Sequence, residues 1–260
     1  MTLVLESSFS QDGVALVVAH RGASAEIDEN TLAAFDLAAS LGTDVVEFDV
    51  RLSADGVAVV HHDPVAGRST DGDGAVRDRT LAEIRAWRTP GGHEVPTLAE
   101  TLAILSGRVA VDIEIKNLPG EPDFEDDRQG AVDATLAALH DEAFVGSVLL
   151  SSFNPTSLAH ARRREPTIAT GLLTSFQTEA VDALASAVAD GHPWVLPFSG
   201  MVATAADGFP DEVHAAGLRL GTWIADEPVF AVDLMRSGVD AVATNDPRTI
   251  LAARREAFGR

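Results

Sequence analysis

The sequence predicts an α/β fold, a (β/α)8 TIM barrel forming a single domain over residues 1–260, and three observations carry that prediction. Short β-branched runs alternate with Ala/Leu-rich helical windows from one end to the other, the order that parallel strands joined by crossover helices require. Once one run is set aside as a hairpin return, eight strands and eight helices remain. Hydrophobic residues make up 46% of the chain and aromatic ones only 5%, enough for an aliphatic core of that size. A doubly wound open sheet competes less well, because no glycine-rich phosphate loop follows the first run.

Strand-like runs fall at residues 16–20, 44–50, 57–62, 109–116, 147–153, 168–173, 194–198, 218–223 and 240–244. That makes nine. Asp55-Gly56 joins the second and third and is the dipeptide that a two-residue type I′ turn prefers. The third run is therefore read as a hairpin return, with Ala54 opposite Val57 and Asp49 opposite His62. Helical windows lie at 31–41, 97–105, 131–141, 155–164, 179–189, 211–216, 228–237 and 247–258. Asn30, Asn154 and Asp246 stand where N-caps are wanted, the last two ahead of Pro155 and Pro247.

Residues 63–96 interrupt the alternation with Asp71-Gly72-Asp73-Gly74, a short helical window at 81–87 and Pro90-Gly91-Gly92. They read as a small insertion over one end of the barrel. The acidic segment 121–127 reads as a solvated loop. Residues 1–10 carry no basic cluster, long apolar stretch or small-residue cleavage pattern, so neither a signal peptide nor a membrane span is expected and the cytoplasm is the default location.

The net charge of −21 repels polyanions, which excludes nucleic acid and anionic bilayers as expected partners. There is no cysteine, so disulfides, thiolate nucleophiles and Cys-ligated zinc are excluded together. Any metal must sit on oxygen or imidazole donors.

Catalytic groups of such barrels lie at the carboxyl ends of the strands. Here those ends are His20-Arg21-Gly22, then Glu47 and Asp49, then Asp112, Glu114 and Lys116. Residues two apart share a strand face, so Glu47 points with Asp49, and Glu114 with Lys116. Like charges gathered away from water are costly unless a cation intervenes. Glu47, Asp49 and Glu114 are therefore the candidate ligands of one hard divalent ion, Ca²⁺ or Mg²⁺ rather than Zn²⁺. Lys116 is the only lysine among nineteen basic residues, which suggests that a compact point charge is required there. His20 and His62 are the two imidazoles expected at this cluster and are the acid/base candidates, with His61 on the opposite face. Arg21 and Lys116 would hold an anionic group, so the site suits phosphoryl chemistry. No Gly-x-Ser-x-Gly or P-loop competes with that reading.

Val18-Ala19-His20-Arg21-Gly22-Ala23, Glu29-Asn30-Thr31, Glu47-Phe48-Asp49-Val50-Arg51-Leu52, Asp55-Gly56 and His62-Asp63 together resemble the glycerophosphodiester phosphodiesterase family. Pro96-Thr97-Leu98, Ile113-Glu114-Ile115-Lys116, Ser151-Ser152-Phe153, Gly238-Val239-Asp240 and Thr244-Asn245-Asp246-Pro247 follow in the family's order, from about Val17 to Pro247. The resemblance implies a phosphatidylinositol-phospholipase-C-like barrel that hydrolyses small-molecule glycerophosphodiesters to glycerol 3-phosphate and an alcohol. It implies Glu47, Asp49 and Glu114 as metal ligands, His20 and His62 as the acid/base pair, and Arg21 and Lys116 as phosphate contacts. It also implies that the glycerol 2-hydroxyl attacks phosphorus to give a cyclic phosphate, which water then opens.

Two departures from the family pattern stand out. Asp28 replaces the Pro usual before Glu-Asn-Thr, so Glu29 is expected behind the metal ligands rather than among them. Trp223-Ile224-Ala225-Asp226 replaces Trp-Thr-Val-Asn, which is expected to alter the pocket floor and substrate choice. With Phe153, Trp223 and Phe198 as apolar contacts, a lysophospholipase D-like activity is the alternative. A non-catalytic phosphodiester-binding module is another, and self-association into a homo-oligomer is compatible with either.

Overall fold

Nine strands form one sheet in a computed structural model that describes residues 13–125 and 127–259; residues 1–10, read above for a leader, lie outside them. In chain order the elements are β1 (Leu16–His20), α1 (Leu32–Leu41), β2 (Val45–Leu52), β3 (Ala58–Val60), α2 (Leu81–Ile84), α3 (Leu98–Leu105), β4 (Ala110–Ile115), α4 (Gly130–Asp141), β5 (Val148–Ser152) and α5 (Pro155–Arg164). They continue with β6 (Ala169–Thr174), α6 (Ala180–Asp190), β7 (Trp194–Pro197), α7 (Ser199–Thr204), α8 (Phe209–Ala215), β8 (Arg219–Trp223), α9 (Pro228–Ser237), β9 (Ala241–Thr244) and α10 (Pro247–Phe258). β1 pairs in parallel with both β2 and β9, closing an eight-stranded parallel barrel that omits only β3. The fold is the expected (β/α)8 barrel.

Side-chain alternation builds the two faces of each strand. On β2, Val46, Phe48 and Val50 point outward and pack with Leu98, Leu102 and Leu136 of α3 and α4. Across the barrel, Val17, Val195, Leu220 and Val242 meet Ala183 of α6 and Leu234 of α9 in the same way. Each fully buried aliphatic or aromatic side chain contributes about 1.5–3 kcal/mol. The odd-numbered residues of β2, Val45, Glu47, Asp49 and Arg51, take the other face and are all buried.

β3 lies antiparallel on β2, but its register differs by one from the expected pairing. Val50 faces Val60, Arg51 faces Val59, and His61 N–H donates to the Asp49 carbonyl at 3.0 Å. Asp49 is thus opposite His61, not His62. The cause is the turn: Gly56 N–H donates to the Ser53 carbonyl and Gly56 adopts φ 81°, so the loop has three residues, 54–56, with glycine in the left-handed position. One added loop residue moves the register by one. The ladder ends there, and His62 is the next residue beyond it.

Residues between β3 and α3 build a small cluster of their own, with Val76, Ile84, Trp87 and Val95 packed on Val59. Three further corrections concern local signals. The N-cap of α1 is Thr31, whose side chain accepts from Ala34 N–H, and not Asn30. α7 was not expected, because Ser199-Gly200 at its start reads as a turn. The acidic segment 121–127, expected as a solvated loop, is only partly so: Pro122 and Asp127 are exposed, but Glu121 and Asp123 pair with Arg51 at 3.0 and 2.6 Å, and Glu125 accepts from Gly130 N–H. Arg51 is 1% exposed, and a buried guanidinium must have counter-charges drawn down to it.

Candidate active site

The carboxyl ends of the strands converge on a cavity of about 240 Å³ lined by His20, Arg21, Glu47, His62, Asp112, Glu114 and Lys116 on its polar side. Glu47, Asp49 and Glu114 are buried and offer carboxylate oxygens that all lie within 4.8 Å of one another. β2 and β4 bring them together, because their parallel register sets Asp49 beside Glu114 and Glu47 beside Asp112.

The surrounding groups hold these carboxylates in place. Arg21 follows β1 with φ 58°, a left-handed conformation that turns its backbone N–H onto Glu47 Oε2 at 2.8 Å. Its guanidinium reaches Asp49 Oδ2 at 3.2 Å and Glu29 Oε1 at 3.0 Å. Lys116 Nζ lies 2.6 Å from Glu114 Oε1 and 3.1 Å from Asp49 Oδ1. Asn30, missed as a site residue by sequence reasoning, grips Asp49 twice: Nδ2 donates to Oδ2 at 2.7 Å, and Oδ1 accepts from the backbone N–H at 3.3 Å. The Glu29-Asn30-Thr31 run was its only signal.

Burial drives Glu47 well above the ordinary carboxylate range, and Asp49 and Glu114 add to the rise. Burial likewise raises Glu114 to about 7 against the pull of Lys116, and raises Asp112 to about 7. Asp49 goes the other way. Burial opposes its ionisation, but Lys116 and Arg21 overcome it and hold Asp49 well below the usual value.

These residues fit a hard divalent cation. Glu47 Oε1 is buried without a hydrogen-bond partner, and Glu47, Asp49, Asp112 and Glu114 outnumber the two cations Arg21 and Lys116. All the donors are oxygen. Glu29 stands outside the cluster, linked to Arg21 and to Arg68 Nη2 at 2.5 Å. Asp28 accepts from Gly91 N–H at 2.6 Å and ties this loop to the segment between β3 and α3.

Both histidines are anchored through Nδ1. His20 Nδ1 is 2.8 Å from Asn245 Oδ1, and His62 Nδ1 is 2.6 Å from Asp63 Oδ1. Asp63 is shared with Arg68, and Arg51 Nε donates to the His62 carbonyl at 2.7 Å. Arg51 was legible by parity with Glu47 and Asp49, whereas Arg68 gave no signal. Burial lowers both histidines to about 4; Arg21 reinforces this at His20, while at His62 Asp49 opposes it and Lys116 and Arg21 reinforce it. His61 points away, its ring 6.1 Å from that of Trp87.

The remaining wall is apolar. Phe153 and Trp223 line the cavity and meet edge to face at 5.4 Å, Phe198 sits 5.5 Å beyond Trp223, and Phe176 lies 6.4 Å from Phe198 with 66% exposure. Lys116 Nζ is 5.9 Å from the Phe153 ring. Asp226 does not line this wall. It bonds Thr244 and Asn245, whereas Ile224 of the same departure does line the cavity.

A sequence model of the Glycerophosphoryl diester phosphodiesterase family matches residues 20–249. A glycerophosphodiester phosphodiesterase of Caldanaerobacter subterraneus subsp. tengcongensis is 32% identical over 249 residues, covering 91% of this chain and 96% of the relative. The crystal structure of a putative glycerophosphoryl diester phosphodiesterase from Silicibacter pomeroyi superposes with a TM-score of 0.85 at 26% identity, over 97% of each chain. An Oleispira antarctica phosphodiesterase, solved in complex with the product sn-glycerol-3-phosphate, gives a TM-score of 0.81 at 28% identity, covering 92% of this chain and 96% of that one. The chain belongs to the glycerophosphoryl diester phosphodiesterase family.

Proposed function

We propose that the chain hydrolyses glycerophosphodiesters to glycerol 3-phosphate and an alcohol, using one divalent cation, Ca²⁺ or Mg²⁺, and the pair His20 and His62. The observation that carries this reading is the convergence of two Nδ1-anchored imidazoles on one cavity with three clustered carboxylates, Arg21 and Lys116. Glu47, Asp49 and Glu114 would hold the cation, whose chemistry is to offset negative charge on the phosphoryl oxygens. Arg21 and Lys116 orient the same anion from the protein side.

With Nδ1 engaged, Nε2 is the nitrogen each ring offers to the reaction. His20 has a neutral amide behind it, which favours the uncharged imidazole; it takes the proton of the attacking hydroxyl. His62 has the Asp63 carboxylate behind it, which pulls against the lowering of its pKa by burial; in its protonated form it gives a proton to the departing alkoxide. The glycerol 2-hydroxyl oxygen thus bonds to phosphorus as the alcohol leaves, giving a cyclic phosphate with one proton moved on each side; water then opens that ring to glycerol 3-phosphate with the two imidazoles in exchanged roles. Among the described residues no helix is long and apolar enough to cross a membrane.

The test is release of glycerol 3-phosphate from glycerophosphocholine by purified protein. Chelator should abolish turnover, and His20→Ala or His62→Ala should each lower kcat by about 10²–10⁴. Turnover indifferent to chelator and to His20→Ala would reject the mechanism. The row from Phe153 to exposed Phe176 favours one second reading, a lysophospholipid whose apolar part lies along those rings. Glycerophosphocholine turned over far faster than any lysolipid would reject it.

A further inference from the structure

We propose that Asp226 selects the reactive tautomer of His20 by fixing which way the Asn245 amide faces. Asp226 and Asn245 are positioning residues here, and the inference rests on the reading of His20 as a proton-transfer group. Asp226 Oδ1 accepts from Thr244 Oγ1 at 2.9 Å and from Asn245 N–H at 2.7 Å; Oδ2 accepts from Asn245 Nδ2 at 2.8 Å. An ionised carboxylate only accepts hydrogen bonds, so Asn245 can turn only its NH₂ toward Asp226. Asn245 Oδ1 must then face the opposite way, where it meets His20 Nδ1 at 2.8 Å and Ser24 Oγ at 3.1 Å.

An amide oxygen has no proton to give. The 2.8 Å contact is a hydrogen bond only when His20 Nδ1 carries the hydrogen, and in the neutral ring Nε2 is then unprotonated. His20 lines the cavity, while Asp226 lies outside it, so the carboxylate acts on the imidazole through one intervening amide. Were position 226 occupied by an amide, it could offer its own NH₂ to Asn245. Asn245 could then flip, present NH₂ to His20 Nδ1, and leave the hydrogen on Nε2, where the ring cannot act as a base.

Because Asp226 also binds the backbone of the β9–α10 connection, activity alone cannot isolate this role. Imidazole ¹⁵N spectra of the full chain at pH 7.5 report the tautomer directly and need no substrate. Wild-type protein should show His20 with Nδ1 protonated and Nε2 bare. Asp226→Asn should move the hydrogen onto Nε2 in a large fraction of molecules and lower kcat at least about tenfold, with KM changed less than about twofold.

The double variant Asp226→Asn with Asn245→Asp supplies the discriminating result. A carboxylate at 245 can only accept, whichever way it turns, so Nδ1 should be protonated again and kcat should return to within about threefold of wild type. Three results would overturn the proposal: wild-type His20 carrying its hydrogen on Nε2, Asp226→Asn leaving the hydrogen on Nδ1, or a double variant no better than Asp226→Asn alone. A correct tautomer pattern in protein that releases no glycerol 3-phosphate would instead count against the phosphodiesterase reading and leave this chain of hydrogen bonds standing.

Discussion

Lys116 concentrates the electrostatics of the site in one side chain. It is 5% exposed, and its charge is what allows Asp49 and Glu114 to lie side by side at the end of the barrel. Burial alone would strip its proton, but those two carboxylates raise its pKa above the ordinary lysine value. Replacing it with Met should destabilise the metal-free protein by about 3–5 kcal/mol, the loss that follows when a buried ion pair keeps only one partner. Added divalent cation should recover part of that loss in chemical denaturation, since it brings positive charge to the same carboxylates. No recovery with metal would mean that Lys116 and the cation do not share a site. The clustered carboxylates Glu47, Asp49 and Glu114 were legible because the predicted barrel points to its strand ends, and strand parity and like charge single them out there. Asn30, Arg68 and Asn245 were not, because each acts on a distant residue through an amide or guanidinium that looks like an ordinary loop side chain.

At the scale of elements, the loop from β1 to α1 controls where Arg21 stands. Gly22 has φ 81°, and a Cβ there would lie 2.7 Å from the Ala34 carbonyl carbon, inside the first turn of α1. Gly22→Ala should cost about 2–5 kcal/mol, from left-handed backbone strain plus overpacking, and should lower activity by displacing Arg21. Gly42 shares the conformation at φ 80° but has open space around it, so Gly42→Ala should cost only about 1–2 kcal/mol. Equal losses in urea melts would show that the α1 contact is unimportant. Strands and helices were legible because their periodicity is local. The hairpin register was not: Asp55-Gly56 serves both a two-residue and a three-residue turn, and the hydrogen bond from Gly56 to Ser53 decides between them. The acidic loop likewise needed knowledge of a distant partner, Arg51, before its ion pairs made sense.

For the whole molecule, the opposed proton affinities of the site predict a pH signature. Folding lowers His20 and His62 from 6.5 to about 4, so between those values the unfolded chain binds more protons and stability falls as pH falls. Folding raises Asp112 and Glu114 to about 7, so over about pH 4–7 the native state binds more protons and stability rises as pH falls. The two contributions oppose each other in metal-free protein. Cation binding needs ionised carboxylates and removes the second contribution, leaving the histidine loss exposed. At a cation concentration a hundred times Kd, stabilisation should reach about 2.7 kcal/mol, or about 5–10 °C in Tm, near pH 8. It should shrink toward pH 5. A Tm increment equal at both pH values would place the cation away from Glu47 and Glu114.

On the proposed function, one cation held by Glu47, Asp49 and Glu114 supports hydrolysis by His20 and His62. Calorimetric titration of Ca²⁺ or Mg²⁺ into metal-free protein, run beside glycerol 3-phosphate release over the same cation concentrations, tests it most directly. One binding site is expected, with binding and activity rising on a single curve, and Glu47→Gln should weaken both together. Full activity before any cation binds, or binding untouched by Glu47→Gln, would contradict the account.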